Sequence, residues 1–256
     1  MLKNSHKKSK IMGLSSVVRV ALVRFSSFFS ADEKRSKVIF YHDIHDGRKH
    51  TNMSTSVKVF EQHIRIIREN GYKIVTEITN LTGQIEICFD DGFLGLYDNI
   101  ELIKRLKIPI HLFVVSSFLG KEKYMNQNQL SELNDLGLIK ISSHTHAHQL
   151  LSRISDKEVG NELKESKEIL ENITAKKIYS LCYPEGKFNK KVIEIARALG
   201  YNKQYCSIPG FYTDDFVKNV KKRSLVQFAD EKEFKAILKG GDHIFAFWYK
   251  LKHFRK

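Results

Sequence analysis

The stretch Ile85-Glu86-Ile87-Cys88-Phe89-Asp90-Asp91-Gly92 decides how the chain is read. Ile85 to Phe89 is rich in apolar and β-branched residues and short enough to be a buried strand. It runs directly into two carboxylates, and Gly92 permits the tight turn that must follow. Adjacent acids at a strand end repel one another unless a cation or a shared proton relieves them. A metal ion is the simplest relief, although Asp-Asp-Gly is also common turn chemistry.

The same strand-then-turn unit recurs on both sides. Further strands are expected at Val38 to Tyr41, Lys73 to Thr76, His111 to Val115, Leu138 to Ser142, Tyr179 to Tyr183, Lys203 to Ser207 and Ser224 to Phe228. Amphipathic helices lie between them. Ser56 precedes Val57, Phe60, Ile64 and Ile67, spaced for one buried face, and Gly71 ends that helix. Others are expected over Asp156 to Asn172 and Asn189 to Leu199, the latter with Gly200 beyond it. Such alternation implies a parallel α/β fold, a barrel or a doubly wound sheet, with the chemistry on loops at the carboxyl ends of strands. No repeat or Pro/Gly-rich linker divides the body, so 37–240 reads as a single domain. A basic amphipathic segment, 1–36, precedes it, and a basic aromatic tail, 241–256, follows it.

A chain of 256 residues with 42% hydrophobic and 11% aromatic residues can bury a large core, which excludes disordered and low-complexity classes. Its net charge of +14 raises the question of nucleic acid, but the charge is concentrated at the ends. Residues 1–37 hold nine Lys and Arg against Asp32 and Glu33, and Lys250, Lys252, Arg255 and Lys256 close the chain. A phosphate-tracking protein needs its cations along a folded groove, so nucleic-acid binding is not expected. Cys88, Cys182 and Cys206 show no CxxC spacing and read as core residues, with a lean towards a reducing compartment.

Arg19 and Arg24 interrupt the one apolar stretch near the N-terminus, so no membrane span is expected. As a helix, Ile11, Leu14, Val18, Ala21, Leu22, Phe25, Phe28 and Phe29 share a face, opposite Ser15, Ser16, Arg19, Ser26 and Ser27. Three readings stay open: a helix lying on an anionic membrane surface, a helix packed across the end of the domain, or an atypical export signal. The expected location is correspondingly cytoplasmic or peripheral to a membrane, with export as the alternative.

His144-Thr145-His146-Ala147-His148 also follows an expected strand. In a turn of helix, His144 and His148 would share one face and reach one ion, while His146 pointed elsewhere. With Asp91 they would make a two-histidine, one-carboxylate set, suited to catalytic zinc and also to ferrous iron. A third segment, Leu181-Cys182-Tyr183-Pro184-Glu185-Gly186, ends another strand in a proline-fixed turn whose N–H groups could hold an oxyanion.

Together and in this order, the segments resemble the NodB-type polysaccharide deacetylases of carbohydrate esterase family 4. The resemblance covers about Lys37 to Glu233 and implies a distorted (β/α)7-8 barrel that removes acetyl groups from glycans with a divalent metal, zinc in the first instance. It implies Asp90 as general base, Asp91, His144 and His148 as metal ligands, and Tyr183 and Glu185 at the oxyanion and substrate side. Two departures stand out. Where the family's third motif usually has an arginine that orients the catalytic aspartate and an aromatic after the proline, this chain has Cys182 and Glu185; Arg223 is the candidate substitute for the arginine. The usual late-strand histidine acid is also missing. Ile39-Phe40-Tyr41-His42-Asp43 instead is similar to the permuted subgroup that deacetylates poly-N-acetylglucosamine, which makes His42 the expected acid. First and last strands of a closed barrel are neighbours, so the exchange is harmless. His45 and Asp46 are less well placed.

The expected function is metal-dependent deacetylation of a glycan or lipid-linked saccharide. A catalytically silent glycan-binding barrel and an amidohydrolase acting on a non-sugar acetamide remain the alternatives.

Overall fold

The computed structural model describes residues 16–30, 34–213 and 217–255. Its centre is a nine-stranded sheet. The strands are β1 (Lys37–Tyr41), β2 (Lys73–Val75), β3 (Gln84–Phe89), β4 (Ile110–Val114), β5 (Ile139–Ser143), β6 (Ser180–Cys182), β7 (Lys203–Tyr205), β8 (Val220–Lys221) and β9 (Ser224–Leu225). In space they run β8-β7-β6-β5-β4-β3-β1-β9, with β2 beside the start of β3, and every pairing is parallel. The two edge strands β8 and β9 are separated only by Lys222 and Arg223, so the chain leaves one edge and joins the other in one step. That step curls the sheet into a half-barrel, a single domain of the (β/α) type.

Strand residues alternate in direction, as the pleat requires. Val38, Phe40, Cys88, Phe113, Cys182 and Tyr205 form one buried cluster, the barrel interior. Ile39, Tyr41, Ile87, Phe89, Leu112 and Val114 belong to the larger cluster shared with the helices. Burial on both faces explains why these strands read as near-continuous apolar runs. Glu86, His111 and Ser142 form a hydrogen-bonded network in this interior: His111 lies 2.7 Å from both Glu86 Oε1 and Ser142 Oγ.

The helices are α1 (Ser16–Ser27), α2 (Val57–Glu69), α3 (Ile100–Leu106), α4 (Gln127–Asp135), α5 (Asp156–Thr174), α6 (Lys190–Ala198), α7 (Glu231–Leu238) and α8 (Ala246–His253). Five of these helices, α2 and α4 to α7, start at side-chain caps, from Ser56, Asn126, Ser155, Asn189 and Asp230. Most expected strands and helices lie within one or two residues of their observed bounds. The last strand differs: of the expected Ser224 to Phe228 run only Ser224–Leu225 is strand, and another two-residue strand, Val220–Lys221, precedes it on the opposite edge, because the chain serves both edges of the sheet and turns Arg223 inward between them.

The end of α1 and the turn Gly241–Phe245 meet at the floor of the barrel, at the amino ends of the strands, whereas Phe254–Arg255 reaches the segment that follows the carboxyl end of β6. α1 packs on α7 and on the turn Gly241–Phe245, with Val23 fully buried and Arg19 paired with Glu233. The outward face of this helix is the apolar one, and its buried side includes Arg19, which the sequence had placed on the polar face. A buried Glu233 carboxylate needs a cation, and that requirement sets the rotation of the helix. Ile11, Leu14 and the basic residues that precede them lie outside the described residues. Of the 241–256 segment, residues 241–255 are folded rather than trailing: Asp242 bonds the fully buried Lys37 at 2.7 Å, and Phe254–Arg255 pairs with Phe188–Asn189. Among the described residues no helix is long and apolar enough to cross a membrane.

Candidate active site

The site is assembled at the carboxyl ends of β1, β3, β5 and β6. Tyr41 and Phe89 are register partners, and the Asp90 N–H donates to the Tyr41 carbonyl at 3.0 Å, carrying the pairing one residue further. Asp90 therefore continues the inward parity of Glu86 and Cys88. Asp91 and Gly92 then take left-handed backbone, φ 73° and 86°, which bends the chain sharply across the mouth. A non-glycine residue held in that region is strained, a cost that clusters at functional sites.

Arg223 reaches Asp90 across the barrel interior. Its Nη1 and Nη2 donate to Oδ1 and Oδ2, each at 2.7 Å, a bidentate clamp with both groups buried. Nη2 also lies 2.9 Å from Cys182 Sγ, Nε donates to the Cys206 carbonyl at 3.1 Å, and the guanidinium sits over the Phe40 ring at 4.3 Å. Burial alone would raise the Asp90 pKa, but the Arg223 charge outweighs it and holds the carboxyl well below the usual range. Asp90 is an anion at every physiological pH.

The histidine pair is presented by a loop, not by the turn of helix expected from its spacing. Thr145 and His148 have φ 69° and 58°, and these two left-handed residues fold the segment back on itself. The Ala147 N–H donates to Glu162 of α5 at 2.8 Å, and the His148 N–H to Thr145 Oγ1 at 3.1 Å. His146 turns away to Ser116 and Glu165. His144 Nδ1 donates to the Cys182 carbonyl at 2.8 Å; since a carbonyl only accepts, the lone pair of this imidazole is on Nε2. Burial pushes the His144 pKa down to about 4, keeping the ring neutral.

Nε2 of His144 and Nε2 of His148 lie 3.4 and 3.5 Å from Asp91 Oδ1, and that oxygen is buried with no hydrogen-bond partner. An orphaned buried carboxylate oxygen facing two imidazole nitrogens is relieved by a cation, and the donor set suits zinc or ferrous iron. The three residues fit a divalent metal. Asp90, His144 and Cys182 also lie close together, but Arg223 already occupies Asp90 and Cys182. In the third such group, Glu86, Cys88 and His111, both ring nitrogens of His111 are engaged.

His42 follows β1 directly, beside Asp90, with Nδ1 2.7 Å from Gln227 Oε1. Gln227 is held in turn through its carbonyl, which accepts from Thr55 Oγ1 at 2.9 Å. Glu185 sits at the rim with φ 52°; its side chain is exposed and its carboxylate, pulled down by Lys187, pairs with that lysine at 2.6 Å. The Tyr183 side chain does not face the mouth. It is fully buried, stacked on Phe188 at 4.8 Å, and its hydroxyl donates to Gln204. His45 and Asp46 lie in and after the short strand Asp43–His45, which pairs with Ser54–Ser56.

Sequence reasoning passed over Gln227, Glu162 and an aromatic wall. Tyr124 stacks on Phe93 at 4.6 Å and contacts Phe118 at 4.7 Å, and Phe118 lies 6.2 Å from His148. Burial, with Asp91 nearby, pushes the Tyr124 pKa up to about 12. None of these residues falls in a motif; Gln227, Phe93, Phe118 and Tyr124 lie in segments that follow strands, and Glu162 lies within α5.

Residues 79–203 match the family model described as polysaccharide deacetylase. The chain is 26% identical over 196 residues to the Bacillus subtilis protein named as polysaccharide deacetylase YxkH, covering 72% of this chain and 69% of that one. It is 24% identical over 184 residues to a poly-beta-1,6-N-acetyl-D-glucosamine N-deacetylase of Staphylococcus aureus, covering 63% of each. Among solved structures, a polysaccharide deacetylase from Bacillus cereus superposes with a TM-score of 0.72 at 23% identity, covering 80% of this chain and 69% of that one.

Proposed function

The chain belongs to the polysaccharide deacetylase family, a family of glycan-deacetylating hydrolases, and from that premise we propose that it is a divalent-metal-dependent N-deacetylase acting on an N-acetylated sugar of a glycan. The observation that carries this reading is the pairing of two differently treated neighbours. Asp90 is clamped by Arg223, while Asp91 Oδ1 is left to face His144 and His148. One acid is kept as a positioned anion and the other as a ligand.

In this reading Asp91, His144 and His148 hold the metal, zinc being our assignment. When bound, the ion supplies a Lewis acid that polarises the acetamide carbonyl and acidifies water. Asp90 accepts the proton of the attacking water; Arg223 fixes the direction in which the carboxylate presents itself. His42 donates a proton to the departing amine, its ring oriented by Gln227. The N–H of Glu185, at the rim turn, stabilises the oxygen on which charge develops. The wall of Phe93, Tyr124 and Phe118 suits the apolar face of a pyranose ring.

Elemental analysis alongside acetate release from N-acetylglucosamine oligomers and lipid-linked saccharides tests this. Wild type should hold about one zinc per chain and release acetate. Asp90→Ala should keep the metal and lose activity, and His144→Ala should lose both. A wild type that binds no metal and releases nothing after zinc reconstitution would favour a silent glycan-binding barrel. Bound metal with acetate released only from non-sugar acetamides would favour the amidohydrolase alternative.

A further inference from the structure

We infer that the floor of the barrel is a docking surface for an anionic lipid bilayer, and that the protein lies on it with the metal-ligating mouth turned away. The orientation clause rests on the proposed function; the docking surface does not. A helix that packs only to complete a fold buries its apolar stripe. α1 does the reverse: Val23 and the Arg19 side are turned inward, while Phe25, Phe28 and Phe29 are 63%, 84% and 77% exposed. The stripe continues onto the C-terminal segment. Phe29 and Ile244 line one depression together with Ser26 and Phe211, and Phe247, one turn beyond Ile244, is 72% exposed.

Charge selects the partner. Arg24, Lys239 and Lys250 are exposed around these aromatics. In residues 16–30 and 234–255 the one acidic side chain is Asp242, and it is buried against Lys37. Exposed phenylalanines bordered by Arg24, Lys239 and Lys250, with no exposed acid among the described residues of 16–30 and 234–255, match the interface of a bilayer carrying anionic headgroups. A second copy of the chain would instead set cation against cation.

Geometry sets the orientation. The depression includes Arg35, just before β1, whereas His42 lies just after it. At about 3.3 Å per residue, that run spans about 23 Å, so the surface and the mouth occupy opposite ends of the barrel. A protein seated this way meets a glycan chain extending from the membrane rather than a sugar held at the headgroups.

Trp248, the chain's one tryptophan, adjoins Phe247 and reports on the surface directly. The full chain is titrated with vesicles of phosphatidylcholine alone and of phosphatidylcholine mixed with phosphatidylglycerol. Trp248 emission should shift to the blue, and the protein should co-sediment, only with the mixed vesicles. Combining Phe25→Ser, Phe28→Ser and Phe29→Ser should weaken binding by about tenfold or more without lowering the thermal midpoint. Failure of wild type to bind, or undiminished binding by the variant, overturns the docking surface. So does lipid-free self-association that the variant abolishes, which would assign the patch to a second copy. These readouts need no acetate release, so they separate docking from the enzymatic reading. Vesicle-bound and free protein should release acetate equally from a soluble oligomer; activity confined to the free protein overturns the orientation.

Discussion

Arg223 and Asp90 lie far apart in sequence and meet because β9 closes the sheet against β1. The clamp is bidentate, and a lysine supplies one charged point where the guanidinium supplies a fork. Arg223→Lys should keep the metal content of wild type while lowering kcat for acetate release by about a hundredfold, as expected when a positioned group loses its geometry. Arg223→Ala leaves Asp90 buried and unpaired and should also cost about 3–5 kcal/mol of stability in urea unfolding. Gln227 acts through His42. Gln227→Leu should reduce kcat for acetate release with little change in KM. Asp90, Asp91, His144 and His148 could be picked out from their motifs, but Gln227 could not. A glutamine after a strand has no chemical signature until the histidine it serves is known.

At the level of elements, most strands and helices were legible because burial on both faces leaves apolar runs and because the helices carry their own caps. The His144–His148 loop was not. Its spacing fits a helical turn equally well, and only the Thr145 and His148 backbone, braced by Glu162, decides between them. The seat of the C-terminal segment was equally hidden. Lys37 opens β1 where an apolar residue is expected, and Asp242, distant in sequence, neutralises it. Asp242→Ala strands a fully buried cation and should cost about 3–5 kcal/mol, read as a lower urea midpoint at unchanged slope.

For the molecule as a whole, acid should act through buried histidines distant from the metal ligands. His63 donates from Nε2 to the Ala229 carbonyl, 3.0 Å away, which leaves Nδ1, 2.8 Å from the Tyr41 hydroxyl, to accept. Both contacts suit the neutral ring. Burial pushes the pKa of His63 and of His253 down to about 4. Since the unfolded chain binds these protons near pH 6.5, it holds more of them than the folded chain between the two values. Stability should therefore fall as pH drops from about 6.5 to 4, by up to about 1.4 kcal/mol per unit for each group. Thermal or urea midpoints across that range check this, and His63→Gln should flatten the slope by about one proton; a flat wild-type profile would contradict it.

The sequence by itself determined the parallel α/β class, the single body, and the acids and histidines able to carry metal chemistry. Those follow from local periodicity and from motifs whose residues sit side by side in the chain. Tertiary structure alone decided what depends on distant partners: Gln227 on His42, the side chain of Tyr183 buried beneath the helices, and the outward face of α1; it also supplied the contact behind the expected role of Arg223 at Asp90. A helix's own hydrophobic pattern argues for burying Phe25, Phe28 and Phe29, but Glu233, already fixed in the fold, draws Arg19 inward and turns those rings to the outside.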